Sequence, residues 1–284
     1  MNKERNILAK SVSVWGIIGN FFLFIIKITI GLFSHSQAMI ADSFNSAGDV
    51  FASFMTWIGN RISSVPNDND HNFGHGKAEY IFSMLISISM IIVAVTLLYN
   101  SFLSIINGNH LNFSYRLIVV CVITFIVKIS LYLYSRKISL KSDNLLIKAN
   151  MLDHRNDMII IFFTTISIVL AKYNIYFADG IVGIGISFWI FLTGIKIFKE
   201  SYDVLMDISI DIESKSHILS IIQSYQEVKR IGNIYSIPIG YKYIIVVTIF
   251  VDGKMKTSNS HSIADEIENK IIKVPPMPFS LSSI

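Results

Sequence analysis

Asn45-Ser46-Ala47-Gly48-Asp49 and Asp153-His154-Arg155-Asn156-Asp157 are two polar stretches, each set inside an apolar run of helix length. On an α-helix, residues four apart share a face, with Cβ atoms roughly 6 Å from each other. Asn45 with Asp49, and Asp153 with Asp157, therefore each present a pair of oxygen ligands. Asp42 with Ser46 is a competing pair in the first run, and spacing alone does not choose between the two. Two such faces turned inward make a four-residue site. An ionised Asp at the middle of a membrane helix costs roughly 2.5 to 3.5 kcal/mol on the insertion scale, so these carboxylates require a cation, a proton or a water-filled path. The pattern points to a divalent-ion site inside a membrane protein.

Composition supports the membrane reading. The 284 residues are 52% hydrophobic and only 15% charged, with a mean hydropathy of +0.55, which is too apolar for an ordinary soluble domain. Six segments satisfy the need for about 20 mainly apolar residues per span: roughly 11–33, 38–60, 79–105, 114–135, 149–171 and 176–198. The charged N-terminus, Met1 to Arg5, precedes an apolar stretch too long for a signal-peptide core, so that stretch is read as the first retained span. A net charge of +4 does not indicate a nucleic-acid binder, because Lys and Arg fall at the ends of the apolar runs and form no single stripe.

Placing both termini in the cytoplasm gathers Lys3, Arg5, Lys10, Arg61, Lys77, Arg136, Lys137, Lys141, Lys148, Lys196 and Lys199 near that face. Only Arg116 and Lys172 then lie near the outer ends, as the positive-inside bias expects. The outer connections are short, at 34–37, 107–114 and about 172–175. Cys121 lies alone in an apolar run, which excludes a disulfide framework and a thiolate metal cluster. Lys27 and Lys128 lie deep in the first and fourth segments. They are expected to snorkel or to pair with a bundle carboxylate such as Asp42, the alternative being direct participation in transport.

After about Glu200 the pattern changes. Ile218, Ile221, Ile222 and Tyr225 recur at helical spacing within 213–225. Ile234 to Ile239 and Tyr243 to Val251 read as two antiparallel strands around Gly240-Tyr241-Lys242. Ile263, Ile267 and Ile271 mark a second amphipathic helix. The tail Val274-Pro275-Pro276-Met277-Pro278-Phe279 stops that helix, because proline lacks the amide hydrogen, and no further strand is expected. The division is thus a six-helix transmembrane domain over 1–200 and a small cytoplasmic α+β domain of αββα order over 201–284.

The four opening ligands are one amide and three carboxylates, a hard set that suits Mn²⁺, Mg²⁺, Ca²⁺ or Fe²⁺ better than Zn²⁺ or Cu⁺. Ligand type narrows the list without closing it. A second candidate is the loop carrying Asp68, Asp70, His71 and His75, where two imidazoles at helical spacing and a carboxylate suit a divalent metal. The bland alternative is a solvated loop whose Gly and His residues shape a turn. No phosphate-binding loop is present to support ATP use.

The chain resembles the cation diffusion facilitator family over nearly its whole length, up to about residue 273. The resemblance is carried by Ala41-Asp42-Ser43-Phe44-Asn45 running on to Asp49, and by His71-Asn72-Phe73-Gly74-His75-Gly76-Lys77-Ala78-Glu79. Met151 to Asp157 and Ser260-His261-Ser262-Ile263-Ala264-Asp265 add to it. The His-x-Phe-Gly-His-Gly-Lys-x-Glu loop is the specific part. Alignment through it places Asn45, Asp49, Asp153 and Asp157 at the family's transport-site positions, with Asp42 in support.

Zinc-transporting relatives usually hold His where this chain has Asp153, so Asp there and Asn at 45 resemble the manganese-type branch. The resemblance implies a homodimeric inner (plasma) membrane exporter of Mn²⁺ in exchange for protons, with a ferredoxin-like cytoplasmic domain and no cofactor beyond the transported ion. It further implies loop metal binding by Asp68, His71 and His75, and a structural charge cluster of Lys77 with Asp207 at the dimer and domain junction. Family members often bind metal in the cytoplasmic domain. Here Gly232 or a neighbour stands where a ligand is expected and the usual His-x-Glu-Pro ending is missing, so His217 and His261 default to surface residues. Export of Zn²⁺, Fe²⁺ or Cd²⁺, and a membrane metal sensor or assembly partner that moves no ion, remain as alternatives.

Overall fold

None of the chain's five prolines falls inside the apolar runs, so nothing interrupts their helical hydrogen bonding. In the computed structural model they form six helices: α1 (Asn2–Phe33), α2 (Gln37–Ser63), α3 (Ala78–Asn107), α4 (Tyr115–Ser139), α5 (Leu145–Ala171) and α6 (Phe177–Leu205). The structure describes residues 2–33, 37–107, 115–142, 144–171, 177–240, 242–272 and 279–281. The expected outer connections therefore lie almost wholly outside the described residues, as do the Asp42 side chain and most of the proline-rich tail.

Two compact units divide the chain: Met1–Val65 with Ala78–Tyr202, and Pro66–Lys77 with Asp203–Ile284. The first is turned inside out relative to a soluble protein. Large apolar side chains such as Trp15, Phe21, Ile92 and Phe188 are exposed, while Asn20, Ser53, Thr56, Ser87, Asn150 and His154 are buried. This is the distribution a lipid solvent selects, because polar groups there find partners only inside the bundle. Among the described residues, three stretches are long and apolar enough to cross a membrane, at Arg5–Ile30, Ala78–Ile106 and Ile118–Ser139. α2 and α5 instead carry the ionisable stretches.

An apolar core of Ile86, Met90, Leu146, Ala149, Ile190 and Ile197 joins α3, α5 and α6. On the other side α1 packs chiefly on α2, and α4 on α5. Gly16 permits part of that approach, since a Cβ there would stand 2.7 Å from Ser53 Oγ and 3.6 Å from His154 Nε2.

The second unit contains α7 (Ile212–Gln223), β1 (Arg230–Ile239), β2 (Lys242–Phe250), α8 (Thr257–Ile272) and β3 (Phe279–Leu281). Asp211 caps α7 by accepting from the Ser214 amide at 2.8 Å. β1 and β2 pair antiparallel from Arg230↔Phe250 to Ile239↔Lys242, with a bulge between Ile231 and Ile234. Ile218 and Ile222 of α7, Ile245 of β2, and Ile267 and Ile271 of α8 form the core beneath them.

One expectation is corrected here. The tail does supply a strand: β3 pairs parallel with β2, Tyr243↔Phe279 to Ile245↔Leu281, and puts β2 at the centre of a three-stranded sheet. Three residues are too few to leave an alternation in sequence.

The loop between α2 and α3 belongs to this second unit. Gly76 lies against Gly240, whose φ is +70°, so closely that a Cβ on either would come within 2.9 Å of the other's Cα.

Candidate metal centre

α2 and α5 each turn their i, i+4 pair toward one cavity of about 240 Å³ inside the helical unit, lined by Asn45, Asp49, Asp153 and Asp157. Lys27 from α1 and Lys128 from α4 line it as well, against an apolar wall that includes Met90 and Ile190. The rival pair on α2 is Asp42 with Ser46. Ser46 is buried with no partner for its hydroxyl among the described residues, and the Asp42 side chain lies outside them.

Lys128 is the feature that sequence reasoning reaches only halfway. Its ammonium donates to Asp49 Oδ2 and to Asp157 Oδ2, both at 2.6 Å, and its side chain is 1% exposed. The expected pairing of a deep lysine with a bundle carboxylate is thus present for Lys128, but with these two aspartates. They belong to different helices and converge on one cationic atom. A lone buried lysine in a membrane helix signals a counter-charge without naming it.

Asp49 is held from α1 as well, where Asn20 Nδ2 donates to its backbone carbonyl and to Ser53 Oγ, each at 3.2 Å. On α5, Asp153, His154 and Asp157 each bring a possible ligand atom within 4.8 Å of the others. His154 is fully buried, and neither ring nitrogen has a partner among the described residues. Sequence reasoning passes over His154 because it is one residue from Asp153, about 100° around the helix. Its i, i+3 relation to Asp157 is the available signal. Arg155 is directed elsewhere, donating to Thr193 Oγ1 at 3.2 Å and stacking 5.4 Å from the Trp189 ring centroid.

In the second unit, Asp68 lies 3.3 Å from His71 Nδ1 and 3.6 Å from His75 Nε2, and the two rings are 4.3 Å apart. These residues come together through turns, with φ of +75° at Gly74, and not through the helical spacing expected of His71 and His75. The His71 amide donates to Asp68 Oδ1 at 2.7 Å, and this bond holds the carboxyl below the ordinary carboxylate range. His75 Nδ1 is buried without a partner among the described residues. Asp70 contributes only its amide, which donates to Asp68 Oδ1 at 3.1 Å. Lys77 donates to Asp207 at 2.7 Å, and Asp207 itself closes α6 with a φ of +57°. His217 and His261 are exposed, and His261 lies 3.7 Å from Asp265.

Residues 13–206 match the family model of the cation efflux transmembrane domain, and residues 210–277 match that of the cation efflux protein cytoplasmic domain. The manganese efflux system protein MneP of Bacillus subtilis is 32% identical, over 95% of this chain and 93% of its own length. MneS of the same organism, also a manganese efflux system protein, is 30% identical over 87% of this chain and 84% of its own length. The magnetosome protein MamM of Magnetospirillum gryphiswaldense is 27% identical over 92% and 83%.

Proposed function

The chain belongs to the cation efflux family of divalent-metal transporters, and from that premise we propose that it exports Mn²⁺ in exchange for protons. It works as a homodimer in the inner (plasma) membrane, with six spans and both termini in the cytoplasm, alternating between inward-open and outward-open states. The observation that carries this reading is the convergence of Asp49 and Asp157 on one cationic atom, in a cavity that Asn45 and Asp153 also line. Carboxylate and amide oxygens favour a hard divalent ion, and two of the similar proteins are named for manganese efflux. Protons and metal compete for the same oxygens, so a proton gradient does work on the ion. The bound ion shifts the two states only by its differential affinity for them. The Asp68, His71 and His75 loop is a second metal site, and Lys77 with Asp207 is a structural pair.

Zn²⁺ or Fe²⁺ is the second reading, favoured by one specific observation: His154 offers an imidazole nitrogen within reach of Asp153 and Asp157. Vesicles reconstituted with the protein under a pH gradient separate the two. The expected result is proton-driven Mn²⁺ uptake exceeding Zn²⁺ uptake, lost in Asp49→Ala and Asp157→Ala. Metal binding without movement would remove the transporter reading, and Zn²⁺ moving at least as fast as Mn²⁺ would remove the manganese assignment.

A further inference from the structure

We propose that Lys128 is a tethered counter-cation of the transport site, and that a divalent ion binds by displacing its ammonium from Asp49 and Asp157. The proposal rests on the reading that these aspartates hold the transported ion. Geometry carries it. The ammonium reaches one oxygen of each aspartate at 2.6 Å, from a helix that contributes none of the four proposed ligands, and it is buried in the same cavity. An ammonium at that distance from both carboxylates fills the point at which they can share an incoming cation. The metal and the lysine ammonium therefore compete for the same oxygens.

Two consequences follow from the charges. A monovalent ion that displaces Lys128 replaces one positive charge by another and gains little Coulomb energy, whereas a divalent ion doubles the charge facing the carboxylates. Lys128 thus selects for valence. It also weakens divalent binding, since each metal ion must break two buried ion pairs to enter, and the same two pairs re-form as it leaves. Release is assisted from inside the site. Lys27 lines the same cavity and adds positive charge without standing between the two aspartates.

The test measures Mn²⁺ affinity of the purified full-length protein by calorimetry, in a His75→Ala background so that the loop adds no binding. Lys128→Gln is expected to bind Mn²⁺ at least tenfold tighter and to admit competition by about 100 mM Na⁺, which wild type resists. Asp157→Asn is expected to weaken Mn²⁺ binding at least tenfold, and it reports on the site itself. Unchanged or weaker binding in Lys128→Gln, with Asp157→Asn weakened, overturns the role of Lys128 and leaves the site standing. Unaltered binding in Asp157→Asn overturns the site and the proposal with it. Should Lys128→Gln not fold, Mn²⁺ affinity in the His75→Ala background is compared in about 100 mM NaCl and about 100 mM choline chloride, at equal screening. Equal affinity is expected, and weaker Mn²⁺ binding in Na⁺ overturns the selection by Lys128.

Discussion

Arg5 Nη2 donates to both carboxylate oxygens of Glu79, at 2.9 and 2.7 Å, and Glu79 is 1% exposed. The same carboxylate accepts from the Leu145 amide at 2.7 Å and from Asn144 Nδ2 at 3.4 Å. It therefore closes the N-terminal end of α5, whose first amides have no helical partner, and joins that end to α1 and α3. Removing one partner of a buried pair leaves the other charge uncompensated, at about 3 to 5 kcal/mol. Glu79→Ala is expected to melt well below wild type, and Glu79→Gln, which keeps the acceptor oxygen, to fall between them. Thermal unfolding of the purified protein checks the order, and a Glu79→Ala protein that melts with wild type would refute the clasp.

Glu79 also marks where the sequence stops being legible. The loop motif ending in Glu79 carries the family resemblance, which implies the register of Asn45 with Asp49. Nothing in it says that its last residue caps a helix 66 positions away. The six helices and the two i, i+4 polar pairs can be read because 3.6-residue periodicity and apolar length are local properties. The bridge from Lys128 to Asp49 spans 79 positions, and its partner choice is a fact of packing. His154 is hidden by its neighbour: one residue from Asp153, it belongs to a different face of α5. β3 escapes notice because three residues after a run of prolines carry no period.

Gly76 and Gly240 give a sharp steric prediction within the second unit. Gly240 has a φ of +70°, and its Cβ would meet Gly76 Cα at 2.9 Å, a backbone atom that cannot rotate away. Gly240→Ala is expected to cost about 1 to 3 kcal/mol through this clash and the left-handed backbone. Gly253→Ala, where a Cβ meets nothing within 4 Å, is the control and should stay within about 0.5 kcal/mol of wild type. Limited proteolysis of loop 66–77 reads the difference, with faster cleavage expected in Gly240→Ala alone.

Asp153 faces the cavity on the same helix turn as His154, and its Oδ2 has no partner among the described residues. Asp153→His replaces a hard oxygen by a nitrogen beside a second imidazole, which moves the donor set toward softer ions. Relative transport of Zn²⁺ over Mn²⁺ is expected to rise roughly tenfold, equivalent to about 1.4 kcal/mol of differential binding. Parallel uptake of the two ions in vesicles measures it. An unchanged ratio would remove Asp153 from the ligand set.

Asp68 yields a prediction about pH whose sign is fixed by its hydrogen bonds. The His71 and Asp70 amides donate to its carboxylate and hold its pKa below the ordinary value of 3.8. A depressed carboxyl contributes fully above its unfolded pKa and loses that contribution only as pH falls through the lower folded value. Between pH 5 and 8 Asp68 therefore stays ionised, so the proposed loop site with His71 and His75 keeps a constant contribution from it. Asp68→Asn is expected to weaken Zn²⁺ binding at the loop about tenfold, equivalent to about 1.4 kcal/mol. Binding is measured on the full chain with Asp157→Asn silencing the cavity. In that background the affinities measured with and without Asp68→Asn should run parallel across pH 5 to 8. A gap that closes toward pH 5 would mean that the carboxylate takes up a proton in that window, against the geometry of its turn.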